Sequence, residues 1–164
     1  MNVYRTIVPW AELFRSGNSV TGIFGVALGS ILASQGLPSG DFAIITALHC
    51  LSVMTFMFSW NALNDYMDIE IDRINRPDRP LPSGEISEVA ASRGILFTAV
   101  LSAFFLIVAA YVSHSGEIGL DGWLPSLAIW VMALLLLFNY ESPSKLSFRM
   151  KDRGLPGNMA ISMS

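Results

Sequence analysis

The chain has 164 residues, of which 52% are hydrophobic and only 14% charged, and its mean hydropathy is positive. That composition excludes an ordinary soluble domain and places the chain among membrane proteins. No nucleic-acid partner is expected, the net charge of −3 says little by itself, and the single Cys50 excludes an intrachain disulfide or a thiolate metal cluster.

In chain order, residues 4–14 mix Trp10, Leu13 and Phe14 with Glu12, just before Arg15, and read as an interfacial lead-in helix. The opening residues lack a basic segment leading into a short apolar core, so no secretory signal is read there. Four uncharged stretches follow, 16–40, 42–64, 94–116 and 122–140. About 20 apolar residues cross a bilayer core. The expected architecture is therefore all-α, an integral membrane bundle with helices over about 18–36, 42–72, 88–114 and 121–141. In the first span, Gly25 and Gly29 have the small-residue spacing that lets helices pack closely.

The second span ends in a run containing Asn61, Asn64, Asp65, Asp68, Glu70 and Asp72. At 100° per residue, Asn61, Asp65, Asp68 and Asp72 fall on one helical face, and Glu70 points the other way. Three carboxylates over about 10 Å of helix repel one another unless a cation sits among them. Hard divalent cations such as Mg²⁺ take oxygen ligands and bridge carboxylates to substrate phosphates. Arg73, Arg76 and Arg79 follow at once, and guanidinium matches phosphate oxygens bidentately. The pattern points to a metal–diphosphate clamp at the mouth of a membrane helix.

Pro77, Pro80 and Pro82 prevent the loop from continuing that helix, and Ser87 with Glu88 suits the N-cap and first turn of the next one. The third and fourth spans read as chemically quiet. His49 and His114 lack a partner at metal-ligand spacing and read as packed or interfacial histidines. All ten Lys and Arg residues fall on one side of the four spans, so the N-terminus and the 65–93 loop are expected in the cytoplasm. A new apolar segment starts from about 157 and stops too short to span. The 1–164 chain thus reads as the N-terminal part of a larger bundle, four spans and the start of a fifth.

The run Asn64, Asp65, Asp68, Asp72, followed by Arg73, Arg76, Arg79 and the Pro80–Gly84 stretch, resembles the first aspartate-rich motif of the UbiA superfamily of membrane prenyltransferases. Arg15 to Asn18 resembles that family's first-helix polar motif, and Tyr140 with Lys145, then Gly157 and Asn158, the segment after its fourth helix. The loop wording is most similar to archaeal-type geranylgeranylglyceryl-phosphate geranylgeranyltransferases, within about the first half of a family member. The resemblance implies that Asp65, Asp68 and Asp72, assisted by Asn61 or Asn64, hold Mg²⁺ on an isoprenyl diphosphate. It also implies that Arg15, Asn18, Arg76, Arg79, Tyr140 and Lys145 grip substrate polar groups.

The implied reaction ionises the allylic C–O bond in an apolar tunnel, and a lipid acceptor hydroxyl captures the cation as an ether. A quinone-type or chlorophyll-type acceptor is the alternative within the class, and a non-catalytic membrane fragment or assembly subunit the alternative outside it. The family's second aspartate motif, expected on a sixth helix, is not among these residues. On that expectation a C-terminal half is missing, and the 164 residues alone transfer no prenyl group.

Overall fold

The computed structural model describes residues 3–116 and 119–141. Those residues form six helices: α1 (Val3–Leu13), α2 (Ser16–Ser34), α3 (Gly40–Met67), α4 (Ile69–Asn75), α5 (Glu88–Ser115) and α6 (Gly119–Glu141). Among them, α2, α3, α5 and α6 are long and apolar enough to cross a membrane, as the hydropathy pattern predicts. Two compact units divide between Gly119 and Leu120. The helix α6, which carries Pro125, belongs to the second. The expected start of a fifth span near 157 lies outside the described residues.

Local chemistry sets the ends. The α2 helix stops at Gln35 in the left-handed conformation (φ 54°), where the Gly36 N–H returns to the Ile31 carbonyl at 3.1 Å. The α5 helix starts as expected: Ser87 is extended and its hydroxyl accepts from the Ala90 N–H at 3.2 Å.

Small and hydroxyl residues join the long helices. The Ser52 hydroxyl donates to the Ser102 carbonyl at 3.0 Å, and the Ser102 hydroxyl returns to the Ser52 carbonyl at 2.9 Å. Two turns on, the Ser59 hydroxyl reaches the Ile95 carbonyl at 3.1 Å. As α3 runs forward, its partners on α5 run backward, so the two helices are antiparallel. The close approach of α2 to α3 falls on Gly22, where a Cβ would stand 2.6 Å from the Met57 sulfur. This differs from the sequence expectation. A Cβ at Gly25 or Gly29 would meet nothing within 4 Å, and both residues are exposed.

An apolar core of the first unit sits at the acidic end of α3. Leu13, Ala62, Leu81, Ile86 and Ala91 are buried there, with Trp10, Phe14, Tyr66 and Ile69 packed around them. Gly94 admits the Trp10 ring: a Cβ would come within 2.6 Å of it. The proline-rich loop folds onto this core. Pro80 is buried, the Ser83 N–H bonds the Arg79 carbonyl at 2.9 Å, and the Ile86 N–H bonds the Pro80 carbonyl at 2.9 Å. Gly84 supplies the positive φ of 80° that turns the chain toward α5. Burying side chains such as Leu81 and Ile86 contributes about 1.5–3 kcal/mol each. The loop is thereby a fixed platform beside the acidic stripe.

Candidate functional site

The second helix was expected to run unbroken to 72. Instead it bends at Asp68, whose φ of −92° and ψ of 7° separate α3 from α4. Backbone bonds persist across the bend, from the Asp68 N–H to the Asn64 carbonyl (3.1 Å) and from the Asp72 N–H to the Asp68 carbonyl (2.8 Å). The stripe therefore survives as one face, with Asp65 on α3 and Asp72 on α4. Both are buried, at 7% and 6% exposure. Two carboxylates withdrawn from water at this spacing require positive charge beside them.

Two arginines provide it, one from the junction of α1 and α2 and one from the proline-rich loop. Arg15 Nη2 lies 2.6 Å from Asp65 Oδ1. Arg79 Nη1 lies 3.1 Å from the same oxygen and 2.8 Å from Asp72 Oδ2. Arg79 reaches them because the folded loop presents it. Arg15 reaches Asp65 from the junction of α1 and α2, where its backbone is left-handed (φ 46°, ψ 50°). That conformation costs a non-glycine residue of order 1–3 kcal/mol. Neighbouring contacts hold it: the Asn61 amide donates to the Phe14 carbonyl at 3.1 Å, and the Ser16 hydroxyl to the Ala11 carbonyl at 3.1 Å.

Of the residues picked out in the sequence, Arg15, Asn61, Asp65, Asp72 and Arg79 are brought together. Asn64 and Asp68 lie half-buried on the same stretch of chain. Asn18 and Arg76 are exposed. Tyr140 belongs to the second compact unit, and Lys145 lies outside the described residues. Glu70 points away as its spacing predicts, pairing with Arg73, which also bonds Glu88 at 3.0 Å.

The donor chemistry suits a hard cation, since the stripe offers carboxylate and amide oxygens. Among the described residues no three His, Cys, Asp or Glu side chains are grouped to hold a metal ion. A Mg²⁺ ion at this stripe must therefore draw oxygens from elsewhere, as it does when it bridges protein carboxylates to phosphates.

The α3–α4 stripe and the loop that carries Arg79 lie in a segment with a recognisable family signature. The UbiA prenyltransferase family matches residues 22–164. The chain belongs to that family. Among curated relatives of this UbiA-family chain, a digeranylgeranylglyceryl phosphate synthase from Methanobrevibacter smithii is 34% identical over 93% of the chain and 47% of the relative. The synthase of the same name from Haloquadratum walsbyi is 38% identical over 95% of the chain and 46% of the relative. That from Thermococcus kodakarensis is 42% identical over 62% of the chain and 39% of the relative. The UbiA-family chain thus spans about half the length of the curated relatives it matches. No solved structure matches it.

Two features of this UbiA-family site escaped sequence reasoning. The bond from Asn61 to the Phe14 carbonyl joins residues 47 apart, which no local spacing announces. The hydroxyl seam between α3 and α5 was visible in principle. Ser52, Thr55, Ser59 and Ala62 recur at steps of three and four, as do Thr98 and Ser102 on the partner helix.

Proposed function

We propose that this chain supplies the first wall of a Mg²⁺-dependent membrane prenyltransferase, with its acidic stripe opening to the cytoplasm. The donor would be an isoprenyl diphosphate, taken here as geranylgeranyl diphosphate. The acceptor would be the free hydroxyl of geranylgeranylglyceryl phosphate, and the product an ether lipid. The observation that carries this reading is the convergence of Arg15 and Arg79 on the buried pair Asp65 and Asp72 at the end of a membrane-length helix. Fixed cations beside carboxylates are what a departing diphosphate requires. The names of the similar synthases direct the choice of acceptor.

In this reading the acidic stripe, with the Asn64 amide, provides oxygens for Mg²⁺, from Asp68 and Asp72 beside the arginine-paired Asp65. Bound there, the ion would offset the charge of the diphosphate. Arg15 and Arg79 hold the diphosphate oxygens and stabilise the charge that grows on them as the allylic C–O bond breaks. Asn18, Arg76, Tyr140 and Lys145 are assigned to further polar contacts with the substrates. Apolar side chains of the spanning helices line the path of the prenyl chain and exclude water, which would otherwise quench the allylic cation. The acceptor oxygen then forms the C–O bond and releases its proton.

The experiment joins the chain in frame to the C-terminal half of the Methanobrevibacter smithii relative. Membranes holding the fusion, given labelled geranylgeranyl diphosphate, geranylgeranylglyceryl phosphate and Mg²⁺, are expected to form a labelled diether. Transfer of label to a quinone or tetrapyrrole acceptor instead would overturn the acceptor assignment. A fusion that inserts and transfers to none of them would overturn the reading.

A further inference from the structure

Asp65 lies against two arginines, and one of them, Arg79, also reaches Asp72. A single oxygen of the Asp65 carboxylate accepts from Arg15 at 2.6 Å and from Arg79 at 3.1 Å, and the side chain is only 9% exposed. The two arginines lie 50 residues before it and 14 after it. A second contact acts on the same arrangement from one turn away. Asn61, on the face of α3 that carries Asp65, clamps the carbonyl of Phe14 and so fixes the backbone immediately before Arg15. Arg15 sits there in its left-handed conformation.

A buried carboxylate that accepts from two guanidiniums is satisfied as a counter-ion. Giving the same oxygen to a divalent cation would set that cation against two guanidiniums at hydrogen-bond range, in a site with little water to screen the repulsion. Each guanidinium has five N–H donors in a rigid fork. Arg15 spends only one nitrogen on Asp65, and Arg79 only one on the two carboxylates. The remaining donors point wherever Asp65 fixes the plane of each fork.

Resting on the reading of this site as a metal–diphosphate clamp, we propose that Asp65 and Asn61 are positioning residues. They aim Arg15 and Arg79 at the diphosphate, and Asp65 is not itself a metal ligand. This divides the stripe by function: its first carboxylate serves the arginines, and the oxygens beyond it serve the metal.

The test uses the 164-residue chain in detergent and two probes. Mn²⁺ binding is followed by electron paramagnetic resonance, and inorganic diphosphate binding by calorimetry in Mg²⁺. Asp65→Asn and Arg15→Gln are each expected to weaken diphosphate binding by roughly tenfold or more, the loss of a charge-assisted hydrogen bond, while Mn²⁺ affinity stays within about threefold of wild type. The double variant is expected to be no weaker than the worse single variant, because both changes disable one unit. Asn61→Ala should give the same division with a smaller loss, and Asp72→Asn should lose Mn²⁺. Loss of Mn²⁺ in Asp65→Asn equal to that in Asp72→Asn would overturn the proposal, as would additive losses of diphosphate binding. If Asp65→Asn fails to insert, Asp65→Glu serves instead, with Mn²⁺ affinity kept and diphosphate affinity reduced as the carboxylate is displaced from the forks. A wild-type chain that binds neither probe would remove the clamp reading itself, a result distinct from any redistribution among the variants.

Discussion

The middle and the end of α3 make their contacts by opposite chemistry. In the middle, Ser52 and Ser59 meet α5 through neutral hydroxyls whose bonds close locally on backbone carbonyls. At the end, the carboxylates of Asp65 and, on α4, Asp72 pair with the guanidiniums of Arg15 and Arg79. The hydroxyl seam is what helix association in lipid requires: small residues, close backbones and modest hydrogen bonds. The charged end is a costly way to hold a helix in place. Arginine–carboxylate clusters at a membrane mouth persist where they serve a polar ligand. On the proposed reading one helix separates the work of assembly from the work of binding, and the difference can be tested part by part.

The sharpest consequence is all-or-none. A topology reporter placed within residues 80–85 should be cytoplasmic, and one placed near 115–119 should be outside, if the connections rich in Lys and Arg follow the positive-inside rule. Cytoplasmic signals from both would break the four-span arrangement and the contrast with it.

Within the charged end, Asp68→Asn in the fused full-length enzyme should lower prenyl transfer by ~10²–10³-fold, the usual loss when a group stabilising transition-state charge is removed. Glu70→Gln should stay within about twofold, since its ion pair is exposed and worth little. Equal losses would mean that the face of the helix carries no meaning.

Stability should separate the same regions more gently. Arg79→Ala leaves two buried carboxylates with one guanidinium between them and is expected to cost about 3 kcal/mol in detergent unfolding. Ser52→Ala, in the seam, should cost only about 0.6 kcal/mol, the average for such bonds between membrane helices, and leave transfer unchanged. A seam variant that reduced transfer while stability held would blur the division between assembly and binding.

Much of this was legible in the sequence, for physical reasons that differ by element. The spans were, because about 20 apolar residues have few alternatives to a membrane helix. The opposite faces of Asp65 and Glu70 were, because a helix converts spacing into direction. The start of α5 was, because Ser87 followed by Glu88 is a local capping signal. The bend at Asp68 was not, since an aspartate in that position has no spacing of its own to betray it. Nor was the packing role of Gly22, because which face of α2 meets α3 depends on how two helices settle against each other. The shared grip of Arg15 and Arg79 on a single oxygen of Asp65 is a long-range contact, and spacing along the chain cannot show it.

The stripe and its arginines are proposed to form a Mg²⁺-dependent diphosphate site. Its most direct measurement is the binding of geranylgeranyl thiolodiphosphate, whose C–S bond resists ionisation, to the fused full-length protein. Binding is expected in Mg²⁺, lost in excess EDTA, lost in Asp72→Asn and kept in Glu70→Gln. Binding that survives EDTA, or that falls equally in Asp72→Asn and Glu70→Gln, would contradict the account.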